Sequence, residues 1–177
     1  MIDTISDSNN LHLRFYPDPV LRQAAKPVEN IDSRIVTLAD RMADMMIKSS
    51  GIGLAAPQIG LPLRLIVFSL TGKPEDVEVL INPELSHLQG ISEIEEGCLS
   101  LPGVRAKVRR PAACVVTALN LDGDQFVLDA VDLAATVIQH ESDHLDGTLF
   151  IDRLNAVSRL SCRKGLKQLE REFKDNS

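Results

Sequence analysis

The stretch QHESDHLDG, residues 139–147, sets two of the chain's four histidines four positions apart, with a glutamate directly after the first. This spacing constrains the local fold more than any other feature of the chain. A helix turns about 100° per residue, so His140 and His144 fall roughly 40° apart on one face. Two imidazoles so placed can converge on a single ion, and Glu141 lies close enough to take a proton from water. Chance produces such a triplet in a chain with four histidines on the order of once in a few hundred. The plain alternative is an exposed polar helix face without chemistry.

The rest of the chain must supply a core for that helix. At 177 residues it suits one catalytic domain, 1–177, around a single core. Aromatic residues make up only 3% with no Trp, so the core is aliphatic and a row of base-stacking aromatics is excluded. A net charge of −6 argues against bulk affinity for nucleic acid or anionic membrane. The cysteines Cys98, Cys114 and Cys162 are odd in number and have no zinc-ribbon spacing, which fits a reducing compartment. The start, MIDTISDSNNLHLRFYPDP, has early acids and no apolar core of a secretion signal. Apolar stretches such as LPLRLIVFSL are too short to span a bilayer. A cytoplasmic monomer without membrane contact is expected.

Residues 31–49 carry apolar side chains at Ile35, Leu38, Ala39, Met42, Met45 and Met46, a helical period with Asp32 or Ser33 as N-cap and Gly51 past the end. LRLIVFSL, VEVLINPEL, VRAKVRRP and ACVVTALNLDGDQFVLDAV are short, often β-branched and bounded by turn residues. LDGD at 121–124 reads as a hairpin turn. Helical spacing returns from Asp132 to Leu145, with Asp132 as N-cap and Gly147 as stop. Residues 155–174 read as a C-terminal helix, where Arg159, Arg163, Lys164, Lys167, Arg171 and Lys174 face only Glu170 and Glu172. The expected class is α+β: mixed or antiparallel strands packed around the HExxH helix, with one helix before and one after.

A catalytic ion usually needs three protein ligands and one open position. In the H-E-x-x-H-x-x-G-x-x-H pattern the third histidine would fall at Phe150, which cannot bind a metal. Glu170 and Glu172 sit downstream on the charged tail and are poor candidates. Upstream, EEGCLSLPG offers Cys98 in a turn-bounded strand end, although a lone cysteine is more often an inert small hydrophobe. Cys114 and Cys162 read as that kind. The stretch GIGLAAPQIG, 51–60, joins the first helix to the strands, and its glycines do not match a phosphate-binding fingerprint.

Taken together, G-x-G-L-A-A-x-Q, E-G-C-L-S and Q-H-E-x-D-H, in that order, resemble the peptide deformylase family. FYPDPVLRQAAKPV at 15–28 is similar to that family's opening strand and turn, and the resemblance runs from about Leu13 to Leu154. It implies that Cys98, His140 and His144 bind one divalent metal, Fe²⁺ by preference, with Zn²⁺, Ni²⁺ or Co²⁺ as substitutes. It implies a substrate class, the N-formyl-methionyl end of a new polypeptide, and formate as product. Glu141 is then the general base and acid, while the Gln58 amide and the Leu99 backbone N–H donate to the developing oxyanion. A thiolate with two neutral imidazoles also lowers the cluster's positive charge relative to three imidazoles.

Matched positions extend this to substrate binding. Ile52 and Gly53 would pair with an extended peptide, and Ile52, Ile94, Leu133 and Val137 would line a slot for the methionine side chain. Arg105 falls near the substrate entrance, and Glu96 with Arg110 reads as an ion pair behind the Cys98 segment. Asp143 could orient a ligand or a neighbouring helix start. Some bacterial members dock a C-terminal helix beside the ribosomal exit tunnel, a role the basic 158–174 stretch would suit. Two departures stand out: Asp132 where many members have Gly, and LPG following EGCLS without insertion, as in the compact bacterial-like branch. The alternatives are a zinc endopeptidase of the HExxH type and a metal-binding adaptor without chemistry.

Overall fold

In a computed structural model of the chain, residues 11–175 are described, and the expected lack of a secretion signal at residues 1–10 lies outside them. Among the described residues the strands are β1 (Gly53–Ala55), β2 (Leu65–Phe68), β3 (Glu78–Gln89), β4 (Ser92–Cys98), β5 (Leu101–Arg110), β6 (Ala113–Leu119) and β7 (Gln125–Val131). The helices are α1 (Ser33–Lys48), α2 (Asp132–Leu145) and α3 (Ala156–Asp175). One sheet runs β1-β2-β3-β6-β7 and a second consists of β4 and β5. Every strand pairing is antiparallel, and a lone parallel bridge joins Lys26 to Leu63. The expected α+β class holds, and within it the sheets are antiparallel.

Helix α1 starts where the Asp32 carboxylate accepts from the backbone N–H groups of Arg34 and Ile35. Such a cap satisfies backbone donors that the first turn of a helix leaves without partners. Its apolar face buries Ile35, Leu38, Ala39, Met42 and Met46. That face meets Leu65 and Val67 of β2, whereas Ile66 and Phe68 of the same strand point to the other side and meet α2. Both faces of β2 are therefore covered, which is why LIVF is an unbroken apolar run rather than an alternating one. A third apolar cluster joins Val104, Ala106 and Val108 of β5 to Cys162 and Leu169 of α3.

Helix α2 is buried from Ala135 through Leu145, including Gln139, His140, Glu141, Ser142, Asp143 and His144. An exposed polar face is thereby ruled out. Buried polar side chains need partners, and the Gln139 amide finds two, donating to the carbonyls of Pro111 and Ala135 at 2.9 and 2.8 Å. Gly147 stops the helix as expected, with φ +69 and the Arg22 carbonyl where a Cβ would stand.

Three local expectations change. Asp132 does not cap α2: it is the first helical residue, at φ 50, and Val131 occupies the cap position. The Asp132 N–H donates to the Ala112 carbonyl at 2.8 Å. The left-handed backbone costs a non-glycine residue about 1 kcal/mol. Residues 51–60 are no plain connection, since they hold β1 and a 3-10 turn over Ala56–Ile59. The opening segment 15–28 holds a 3-10 turn at Pro19–Arg22 and no named strand.

Candidate metal centre and active site

Three separated pieces of chain meet at α2. The β1 segment lies against the helix because Gly53 has no side chain: a Cβ there would run into Glu141 Oε1 and lie 2.9 Å from its Cγ. Gly51 is similarly tight against Leu99, with Cδ1 2.8 Å from where a Cβ would be. The turn after β1 carries Gln58, whose Oε1 accepts from the Ala55 N–H at 2.8 Å. That bond fixes which way the amide points, and its Nε2 reaches Ser100 Oγ at 3.2 Å and Cys98 Sγ at 3.4 Å. Strand β4 ends on Cys98, and the Leu99–Ser100 turn leads into β5. The Ser100 carbonyl is held by the Tyr16 N–H at 2.9 Å, and the Gln58 carbonyl by the Arg14 N–H at 2.7 Å. The N-terminal segment thus straps both site loops.

Cys98 Sγ stands 3.2 Å from His144 Nε2. Ligand atoms from Cys98, His140 and His144 all lie within 4.8 Å of one another, the one such His/Cys/Asp/Glu group among the described residues. A tetrahedral ion with bonds of about 2.0–2.3 Å spaces its ligand atoms about 3.3–3.7 Å apart, so the three can share one ion with little movement. His140 Nδ1 is bonded to Glu96 Oε2 at 2.8 Å, which leaves Nε2 for the cluster. Glu141 Oε2 and His144 Nδ1 are buried without a hydrogen-bond partner among the described residues. An orphaned buried carboxylate oxygen beside a thiol and two imidazoles fits a cation and water. The donor set suits a soft-to-borderline divalent metal.

The electrostatics point the same way. Burial pushes the Glu141 carboxyl up to about 7. Burial also opposes charge on both imidazoles. In His140 it is outweighed by hydrogen bonding to Cys98 and Glu96, which raise that ring well above its ordinary value. In His144 burial and the neighbouring His140 charge both push it well down.

Behind the cluster, Arg110 grips Glu96 with two bonds, from Nε and from NH2, the latter at 2.9 Å. Its NH1 donates to Asp143 Oδ2 at 2.8 Å, and Arg153 donates to both Asp143 oxygens. Burial alone would raise the Glu96 carboxyl, but its bonds from His140 and Arg110 hold it below the usual range. The Glu96–Arg110 pair is thus present as expected, and Asp143 serves that pair rather than a helix start. Sequence reasoning missed Arg153, Tyr16 and Ser100, which act through contacts far apart in the chain.

Every expected site residue except His144 lines one cleft of about 530 Å³. Ile52 and Leu133 stand exposed at its mouth, Val137 is buried inside, and Ile94 is half-buried. On the outer face of the β4–β5 hairpin, Glu93 opposes Arg109 and Glu95 opposes Lys107, but Arg105 opposes Gly97. Arg105 is therefore the cation at the cleft without a carboxylate across the strand.

The comparisons with known proteins agree with this geometry. The family model described as polypeptide deformylase matches residues 11–160. A peptide deformylase of Acidobacterium capsulatum is 47% identical over 158 residues, covering 88% of this chain and 93% of that protein. One from Bartonella tribocorum is 47% identical over 148 residues, covering 81% and 83%. Among solved structures, a plant peptide deformylase, PDF1B, superimposes with a TM-score of 0.93 at 38% identity, covering 96% of this chain and 94% of that one. A peptide deformylase from Legionella pneumophila gives 0.86 at 40% identity, covering 93% and 97%. A match that takes in all three site segments, at this identity and over nearly the whole fold, places the chain in the polypeptide deformylase family.

Proposed function

We propose that this chain hydrolyses the formamide at the N-terminal methionine of newly made polypeptides, giving formate and a free amine. The observation that carries the reading is the convergence of Cys98, His140 and His144 beside the orphaned Glu141 oxygen, in a cleft open to an extended chain. Cys98, His140 and His144 would hold one divalent metal, Fe²⁺ by preference, with Zn²⁺, Ni²⁺ or Co²⁺ as substitutes. Such an ion supplies Lewis acidity and an acidified water at neutral pH.

The chain's own groups do the rest. Glu141 accepts the proton of the attacking water and returns it to the amine as the C–N bond breaks. The Gln58 Nε2 and the Leu99 backbone N–H donate to the oxygen that becomes negative as the formyl carbon turns tetrahedral. Ile94, Leu133, Val137 and Ile52 take the methionine side chain, while backbone at Ile52 and Gly53 pairs with the peptide. Arg105 faces the substrate beyond its second residue and favours an acidic side chain there.

The test is formate release from formyl-Met-Ala-Ser set against cleavage of internal peptide bonds, the zinc endopeptidase alternative. Formate release with intact peptide bonds is the expected result, and cleavage without formate defeats the proposal. In the same assay Arg105→Glu should reverse the preference between formyl-Met-Ala-Glu and formyl-Met-Ala-Lys, mainly through KM. An unchanged ratio removes Arg105 from substrate binding.

Helix α3 offers a second contact. Arg159, Arg163, Lys164, Lys167, Arg171 and Lys174 are all exposed, while Cys162 and Leu169 bury its other side. That arrangement supports docking on ribosomal RNA or protein near the exit tunnel. Deleting the helix would uncover the β5 cluster, so charge reversal is the sound probe. Changing Arg163, Lys164 and Lys167 to Glu should weaken ribosome co-sedimentation at least tenfold and leave formyl-peptide turnover unchanged. Equal co-sedimentation ends the docking idea.

A further inference from the structure

The half-exposed Arg153 sits where the 3-10 turn Phe150–Asp152 leads toward α3, on no element that carries a site residue. Its guanidinium nevertheless ends an unbroken polar chain that reaches the metal centre. Arg153 donates to both oxygens of Asp143, from Nε to Oδ2 at 2.6 Å and from NH2 to Oδ1. Asp143 Oδ2 also accepts from Arg110 NH1 at 2.8 Å. The opposite edge of Arg110 clasps both oxygens of Glu96, and Glu96 Oε2 meets His140 Nδ1. The turn touches the same imidazole a second time, because the Phe150 ring stacks on His140 with centroids 6.0 Å apart and planes 24° from parallel.

We infer that Arg153 is a positioning residue for His140: its two-point hold on Asp143 fixes Arg110, hence Glu96, hence the ring plane and tautomer of that imidazole. Each step has a geometric cause. A carboxylate gripped at both oxygens by a planar fork cannot rotate about its Cβ–Cγ bond. Asp143 so fixed offers Arg110 one acceptor in one place. Arg110 then keeps its Nε–NH2 edge flat against Glu96, and Glu96 holds its second oxygen on Nδ1. Partners of this kind orient a ligand histidine and tune its hold on an ion.

Charge alone predicts the opposite sign, which makes the inference sharp. The four groups, two arginines and two carboxylates, sum to zero. Removing Arg153 leaves one excess negative charge near the cluster, and that would slow the loss of a cation. Loss of orientation would speed it. This inference rests on the metal-site reading above, so the experiment separates the two.

Wild-type protein, Arg153→Met, Arg153→Lys and Arg22→Met are each loaded with one Co²⁺. The visible spectrum is recorded, and release to a chromophoric chelator is timed. Arg22 pairs with Asp152, one residue away, and its charge also bears on the cluster, but it makes no bond to Asp143, Arg110 or Glu96, so Arg22→Met reports lost charge together with general loosening of the same turn. A thiolate-to-cobalt band in the wild type supports the metal site, and its absence defeats that reading whatever the variants do. For the positioning role, Arg153→Met should release Co²⁺ about tenfold faster with shifted d–d bands. Arg153→Lys, which keeps the charge without the fork, should remain faster than wild type, and Arg22→Met should be no faster than wild type. Unchanged or slower release from Arg153→Met overturns the inference, as does full rescue by lysine or equal acceleration in Arg22→Met.

Discussion

Replacing Glu141 with Gln should lower formate release about 10³-fold, the middle of the range for losing a general base, while the metal content of the purified protein stays at the wild-type level. The argument is steric as well as chemical. Glutamine has the same shape, so it keeps the packing against Gly53 and leaves Cys98, His140 and His144 in place. It cannot accept the proton from water. Burial pushes the Glu141 carboxyl up to about 7, and a cation among the adjacent donors would pull it back toward the ionised form that a base requires. Metal analysis and initial rates on formyl-Met-Ala-Ser check the prediction together. Full activity with bound metal would remove Glu141 from proton transfer.

The second large effect is expected from a single methyl group. Gly53→Ala places a Cβ against Oε1, Cδ and Cγ of Glu141, the last two at 2.9 Å from the unshifted position. Glu141 is flanked by two candidate ligands on α2 and borders the cleft, so its carboxylate can yield to the methyl group only by moving away from its place beside them. A displacement of about 1 Å in a catalytic group costs on the order of 10²-fold in rate. We expect kcat to fall by that amount with a change of only a few degrees in Tm, because no core side chain is removed. Wild-type kcat in Gly53→Ala would mean that β1 yields to the methyl group and that its fit against α2 is not tight.

These two predictions differ in how much of their basis can be read from the linear chain. Glu141 follows from local spacing alone, since three residues on one helical turn have fixed relative positions. The same holds for α1, whose apolar period and Asp32 cap appear as expected, and for the 121–124 hairpin. Gly53 is different. The sequence points to Gly53 as admitting the main chain of a bound peptide, but the Glu141 side chain it makes room for lies 88 positions later and is revealed only by the packing of β1 on α2. β1 itself escaped notice because three fully buried residues have no alternation to detect. Asp132 shows the converse failure: a good capping residue type sits one position inside the helix, in a left-handed conformation set by the bond from its N–H to Ala112.

From the order of residues alone came the helix that brings two imidazoles and a carboxylate together, the aliphatic character of the core, and the family resemblance of three short segments. Short-range geometry dictates the first, because 3.6 residues per turn leaves little freedom. Tertiary structure alone decided that Gln58 Nε2 reaches Ser100, that His140 rests on Glu96, and that Arg153 and Arg110 share Asp143. Each of those depends on contacts between segments 10 to 44 positions apart, brought together when both faces of the sheet are covered and buried polar groups must find partners among whatever the packing supplies.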